Sequence, residues 1–117
     1  MSKHEDAVRL RHMLEHASEA VALISGKNRP DLDTNRVLQL ALVRLIEIVG
    51  EAANRVSKEA QEQYKQIPWP QIISTRNRLI HGYEFVDYDV LWQTVTEELP
   101  ELIAELEKIV PRLDKGE

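Results

Sequence analysis

"VLQLALVRLIEIVG", Val37 to Gly50, is apolar on nearly every side when wound into a helix. A helix of that kind is normally buried on several faces at once. Its expected span begins near Asp33 or Thr34 and reaches about Ser57, and its polar residues Arg44, Glu47, Glu51, Asn54 and Arg55 fall on one narrow strip. Working outward from it, Ser2 and Glu5 form a capping-box pattern ahead of Leu10, Met13, Leu14, Ala17, Val21 and Ile24, which recur at helical spacing. Gly26 and Pro30 stop this first helix. Downstream, "SKEAQEQYKQ" reads as a short helix capped by Ser57, and "IPWP" is a break that leaves Pro70 at a first helical position. A fourth helix is expected from about Pro70 to His81, ended by Gly82. Asp87 caps the last helix, which Pro100 should kink or start afresh. Nothing alternates with a period of two. The expectation is an all-α bundle of four or five helices, in a single domain over residues 1–117.

Composition narrows the classes of function. A chain of 117 residues buries about two thirds of its unfolded surface, so it needs no staple. The absence of cysteine excludes thiol nucleophiles, Cys-ligated zinc and disulfides, and fits a reducing compartment. No apolar run approaches a membrane span and no signal-peptide pattern opens the chain, so a cytoplasmic location is expected. The formal net charge of -5 argues against nucleic-acid binding driven by overall charge. Any nucleic-acid site must be a local basic patch.

Such a patch exists in "STRNRLIHGYEFVD", Ser74 to Asp87. On the wheel of the fourth helix, Arg76 lies within the apolar arc of Ile72, Ile73, Leu79 and Ile80. An unpaired guanidinium there is costly, so Arg76 needs a partner or a wet crevice, and Glu47 and Glu51 offer pairing. Asn77 and His81 share a face, and Arg78 can reach His81. In the last helical turn the helix dipole favours a protonated imidazole. Two readings stand side by side: a buried ion pair with a histidine that caps the helix, or a site for RNA phosphodiester chemistry. In the second, His81 moves a proton to or from the 2′-hydroxyl or the leaving oxygen, and arginine holds the phosphate. One histidine per chain suggests that a symmetric dimer brings two copies together.

The remaining candidates carry less. His12 and His16 have the i, i+4 spacing of a metal pair, but no Glu directly follows His12, so they and His4 read as a solvated face and no metal site is expected. The run Glu97, Glu98, Glu101, Glu105 and Glu107 also reads as a solvated face, and Tyr64, Trp69 and Trp92 as core or interface residues.

Arg76-Asn77-Arg78-Leu79-Ile80-His81-Gly82-Tyr83 matches R-x4-H-x-Y, and the chain resembles HEPN-superfamily proteins of the HepT type. "IVGEAANRVS" (Ile48 to Ser57), "IPW" (Ile67 to Trp69) and "VDYDVLW" (Val86 to Trp92) extend the similarity over most of the chain. The resemblance implies an all-α homodimer with its cleft between protomers. It implies the toxin of a type VII-like two-gene toxin–antitoxin system, a metal-independent ribonuclease without cofactor acting on cellular RNA, tRNA included. The implied partner is an MntA-like nucleotidyltransferase antitoxin that transfers AMP from ATP to the motif tyrosine. Carried over, Arg76 and His81 are catalytic, Asn77, Arg78, Glu47 and Glu51 supporting, and Tyr83 the AMPylation site. The alternatives are a non-catalytic helical dimer that serves a nucleotidyltransferase partner, and a plain helical interaction module.

Overall fold

Leu10, Met13, Ala17 and Ala20 recur three and four residues apart, and helix α1 (Lys3–Leu23) buries all four. The computed structural model describes residues 2–81 and 85–116, without the side chain of His81. The expected cap is present: the Glu5 backbone N–H donates to Ser2 Oγ at 3.1 Å. After Gly26, which has a positive φ of 75°, the chain forms a short helix that the sequence reading missed, α2 (Arg29–Thr34). Pro30 does not simply stop α1; it sits in the first turn of α2, where its missing N–H is harmless. Arg29 ties this helix forward, donating to Asp33 at 2.8 Å and to Asp89 at 2.9 Å. Those two carboxylates, Asp33 first, raise its pKa above the usual arginine value.

The central helix, α3, spans Arg36–Arg55. It starts later than expected because Asn35 is extended and caps it, accepting from the Leu38 N–H at 3.0 Å. Its buried face, Leu38, Leu42, Leu45, Ile46, Val49, Ala52 and Ala53, packs chiefly on α1 and on α5 below. Full burial of one such aliphatic side chain contributes roughly 1.5–3 kcal/mol, so this face dominates the fold. The opposite face stays open within the chain: Val37 is 76% and Leu40 54% exposed. The expectation of burial on several sides is thus corrected for the single chain. Arg44, Glu51, Asn54 and Arg55 are exposed along the same outer strip.

Ser57 caps α4 (Lys58–Gln63) as read from the sequence, and Asp6 accepts both its N–H and its hydroxyl, joining α4 to α1. The expected fourth helix is two short ones, α5 (Trp69–Ile73) and α6 (Thr75–Leu79), divided at Ser74. Trp69 is buried and donates through its indole to Tyr64 O at 3.1 Å. α5 lies close against α3: a Cβ built on Gly50 would come within 3.3 Å of the Ile72 carbonyl oxygen.

α6 ends at Leu79, two residues before the expected end. Ile80–His81 (β1) and Phe85–Val86 (β2) form an antiparallel ladder, Ile80 opposite Val86 and His81 opposite Phe85. The backbone of His81 therefore lies beyond the helix and not in its last turn, which removes the dipole argument made for it. The expected glycine cap, Gly82, lies outside the described residues, as does Tyr83.

Asp87 caps α7 (Tyr88–Gln93), accepting from the N–H groups of Asp89 and Val90 at 3.1 Å. The helix then neither stops nor restarts at Pro100. It widens into a π turn over Thr94–Glu98 and continues as α8 (Leu99–Asp114). Pro100 has no N–H and its ring crowds the carbonyl four residues back. The Leu99 N–H accordingly reaches five residues back, to Thr94 O. This keeps Val95, Leu99 and Leu102 buried and aims Glu98 at α6. At its far end α8 meets α1, where Arg11 binds Asp114 at 2.9 Å.

Candidate active site

The break at Ser74 decides the site. One continuous helix is the expectation that puts Arg76 on the apolar arc; α6 starts anew at Thr75 and the Arg76 side chain is 60% exposed. The apolar-arc placement is corrected, and the pairing expected of Glu47 is present: Arg76 Nε donates to Glu47 Oε2 at 3.0 Å. The two terminal nitrogens of Arg76 make no hydrogen bond with described residues. Glu51, the second expected partner, is exposed one turn along α3 and forms no ion pair with Arg76. Asn77 is exposed beside it.

Arg78 behaves differently. Its Nη2 donates to Glu98 Oε1 at 2.8 Å and to Thr75 Oγ1 at 3.1 Å, and its Nη1 donates to Glu98 Oε2 at 3.3 Å. Gln71 Nε2 donates to the same carboxylate at 3.0 Å, and the Thr75 hydroxyl donates to Gln71 O at 2.8 Å. Glu98, read from sequence as part of a solvated acidic face, is instead half-buried and holds an ion pair. Sequence reasoning missed Glu98, Gln71 and Thr75. The available signal was Pro100, whose disturbance of the ladder changes which way Glu98 faces.

The chemistry these groups offer is limited and clear. Arg76 presents a guanidinium held at one nitrogen and open at the others, suited to the oxygens of a phosphate. It stands five residues before His81, whose side chain lies outside the described residues. A cleft of about 490 Å³ flanks the site between α3, α5 and α8. It meets α3 through Ile46 and Val49, on a different face from Glu47, and Glu98, Glu101 and Glu105 line it. Glu101 and Glu105 disfavour a polyanion in the cleft.

His16 Nδ1 lies 2.7 Å from the His12 carbonyl oxygen, and the two rings meet edge to face. Among the described residues no group of three or more His, Asp or Glu side chains gathers as a metal site. No helix among them is long and apolar enough to cross a membrane.

A helical bundle with an exposed arginine on its outer face, five residues ahead of a histidine, fits a HEPN-type protein. The chain belongs to the Ribonuclease HepT-like family, whose model matches residues 13–109. It is 36% identical over 100 residues to the "Probable ribonuclease HepT" of Thermococcus cleftensis, covering 82% of this chain and 91% of that one. It is 34% identical to a "Putative RNase" of Caldanaerobacter subterraneus subsp. tengcongensis, over 88% of this chain and 92% of that one. A "Putative RNase" of Methanocaldococcus jannaschii is 31% identical over 97% of this chain and 94% of its own length. No solved structure matches the chain. The family is described as ribonuclease-like, and these relatives carry ribonuclease names.

Proposed function

We propose that this protein is the toxin of a HEPN/MNT-type toxin–antitoxin pair, a homodimeric endoribonuclease that cuts cellular RNA at a cleft shared by two protomers. The observation that carries it is Arg76: exposed, held to Glu47 by Nε alone, and open at both terminal nitrogens within the R-x4-H-x-Y motif of a ribonuclease family. In this reading the RNA 2′-hydroxyl attacks the adjacent phosphorus, a P–O bond forms, and the bond to the 5′-oxygen breaks. His81 takes the hydroxyl proton or supplies one to the departing oxygen, and its counterpart across the dimer does the other task. Arg76 neutralises charge growing on the phosphoryl oxygens. Asn77 orients the phosphate or the imidazole. Glu47 fixes the arginine, and Glu51 stands behind it on the same strip.

Control is proposed to fall on Tyr83. A nucleotidyltransferase partner transfers AMP from ATP to its hydroxyl and pyrophosphate departs. The added phosphate and adenosine lie two residues from His81, repel RNA and compete for Arg76.

The test is direct. Purified protein is incubated with total RNA, with and without EDTA, beside His81→Ala. Cleavage that resists EDTA and falls about 10² to 10⁴-fold in His81→Ala supports the reading. Equal cleavage by both proteins overturns it. Co-expression with the neighbouring nucleotidyltransferase should add one or more AMP masses to wild type and none to Tyr83→Phe, which stays toxic. Neutralisation of Tyr83→Phe as complete as that of wild type would remove covalent control. It would also favour a helical dimer regulated by binding alone.

A further inference from the structure

We infer that Glu98, aimed by the π turn, is a positioning residue of the RNA-cleaving site, and that Arg78 is the brace it holds and no ligand of the RNA. The inference rests on the nuclease reading above and assigns two motif arginines opposite tasks. Both protons of Arg78 Nη2 are engaged, one by Glu98 and one by Thr75, and Nη1 closes the second arm of the same carboxylate. Its Nε is buried and finds no partner among the described residues. Little of that fork remains for a phosphate. Arg76, two residues earlier, keeps its fork free.

The ring Arg78–Glu98–Gln71–Thr75 closes over the junction of α5 and α6. Each of those helices has five residues, too few to be stable alone. Something outside them must hold the break at Ser74, beyond which Arg76 is exposed. Glu98, twenty residues further along the chain from Arg78, does so. It reaches α6 because the ladder widens by one residue ahead of Pro100. π turns of this kind recur at functional sites. The geometry also explains why the acidic rim can lie so near a site for RNA: Glu98 is already neutralised by Arg78.

The experiment compares wild type with Glu98→Ala, Glu98→Gln, Arg78→Ala, the Arg78→Ala/Glu98→Ala pair and the exchange Arg78→Glu/Glu98→Arg. Cleavage kinetics, salt dependence of RNA binding and protection of the α6 amides are measured for each. Displacing a catalytic group by about 1 Å typically costs about 10²-fold. Glu98→Ala and Arg78→Ala should each lose about that in kcat with KM nearly unchanged, and Glu98→Gln should lose less. The double alanine variant should be no worse than either single one, as for residues acting as a unit. The exchange should recover part of the rate. The salt slope of RNA binding should be the same in Arg78→Ala as in wild type, because no phosphate contact is lost. A slope shallower by about 0.7, one phosphate on a single strand, would make Arg78 an RNA ligand and overturn the inference. Tighter RNA binding or faster cleavage by Glu98→Ala would also overturn it. If wild type cuts no RNA, the nuclease reading falls, and amide exchange alone judges the brace. Exchange over Ser74–Leu79 must then rise in Glu98→Ala and Glu98→Gln with helix content unchanged; unaltered exchange sinks it.

Discussion

Arg76 illustrates how a single residue can be misplaced by a correct periodicity. Its neighbours Ile72, Ile73, Leu79 and Ile80 form an apolar arc on one continuous helix, but the helix is interrupted at Ser74, whose φ is -90° and ψ 2°. Once α6 is a separate helix, the arginine is exposed and its pair with Glu47 lies at the surface. Exposed pairs contribute about 0–1 kcal/mol. Arg76→Ala should therefore lower unfolding free energy by less than about 1 kcal/mol in a urea titration, while cleavage of RNA falls about 10² to 10³-fold, as when a donor to a developing oxyanion is removed. A large loss of stability with normal cleavage would assign Arg76 to structure alone. The pairing with Glu47 was legible in the sequence, because both residues sit where an apolar helix carries unexpected charge. The pairing of Arg78 with Glu98 was not, because that partner is brought in by the π turn ahead of α8, twenty residues away in the chain.

Among the elements, the capping residues were the most legible. Ser2, Ser57 and Asp87 each accept backbone N–H groups where expected, since a cap is a local interaction of three or four residues. Helix ends set by tertiary contacts were less so. α5 is held by its approach to α3 at Gly50, where the Ile72 carbonyl leaves 3.3 Å for a Cβ. Gly50→Val adds a branched side chain that cannot withdraw from that contact. The expected loss is about 1–3 kcal/mol, typical of overpacking, read as a lower midpoint in thermal or urea unfolding. Because α5 carries the α6 junction, cleavage should fall with it. An unchanged midpoint would show that α5 moves freely on α3 and is not a fixed platform for the site.

At the scale of the whole molecule, the outer face of α3 is uncovered within the chain. Val37 and Leu40 are exposed there, in line with Arg44 and Glu47, and Glu47 holds Arg76. A symmetric contact along this strip would bury the two aliphatic side chains and bring both copies of Arg76 to one cleft. Light scattering should then give twice the chain mass at micromolar concentration. Leu40→Glu should give a folded monomer, with RNA cleavage lost although every motif residue is intact. A wild-type monomer under the same conditions would speak against the shared cleft. A Leu40→Glu dimer would place the contact elsewhere.

Periodicity and punctuation determined the helical class, the length of α1, the central place of α3 and the caps, and the sequence alone showed the motif stretch from Arg76 to Tyr83. These follow from interactions between residues a few positions apart, which a sequence displays directly. Tertiary structure alone decided the break at Ser74, the extended backbone at His81, the π turn before Pro100 and the capture of Arg78 by Glu98. Each depends on how buried faces of distant helices fit together. In five-residue helices such packing outweighs local preference, because so short a segment has too few internal hydrogen bonds to hold its own direction.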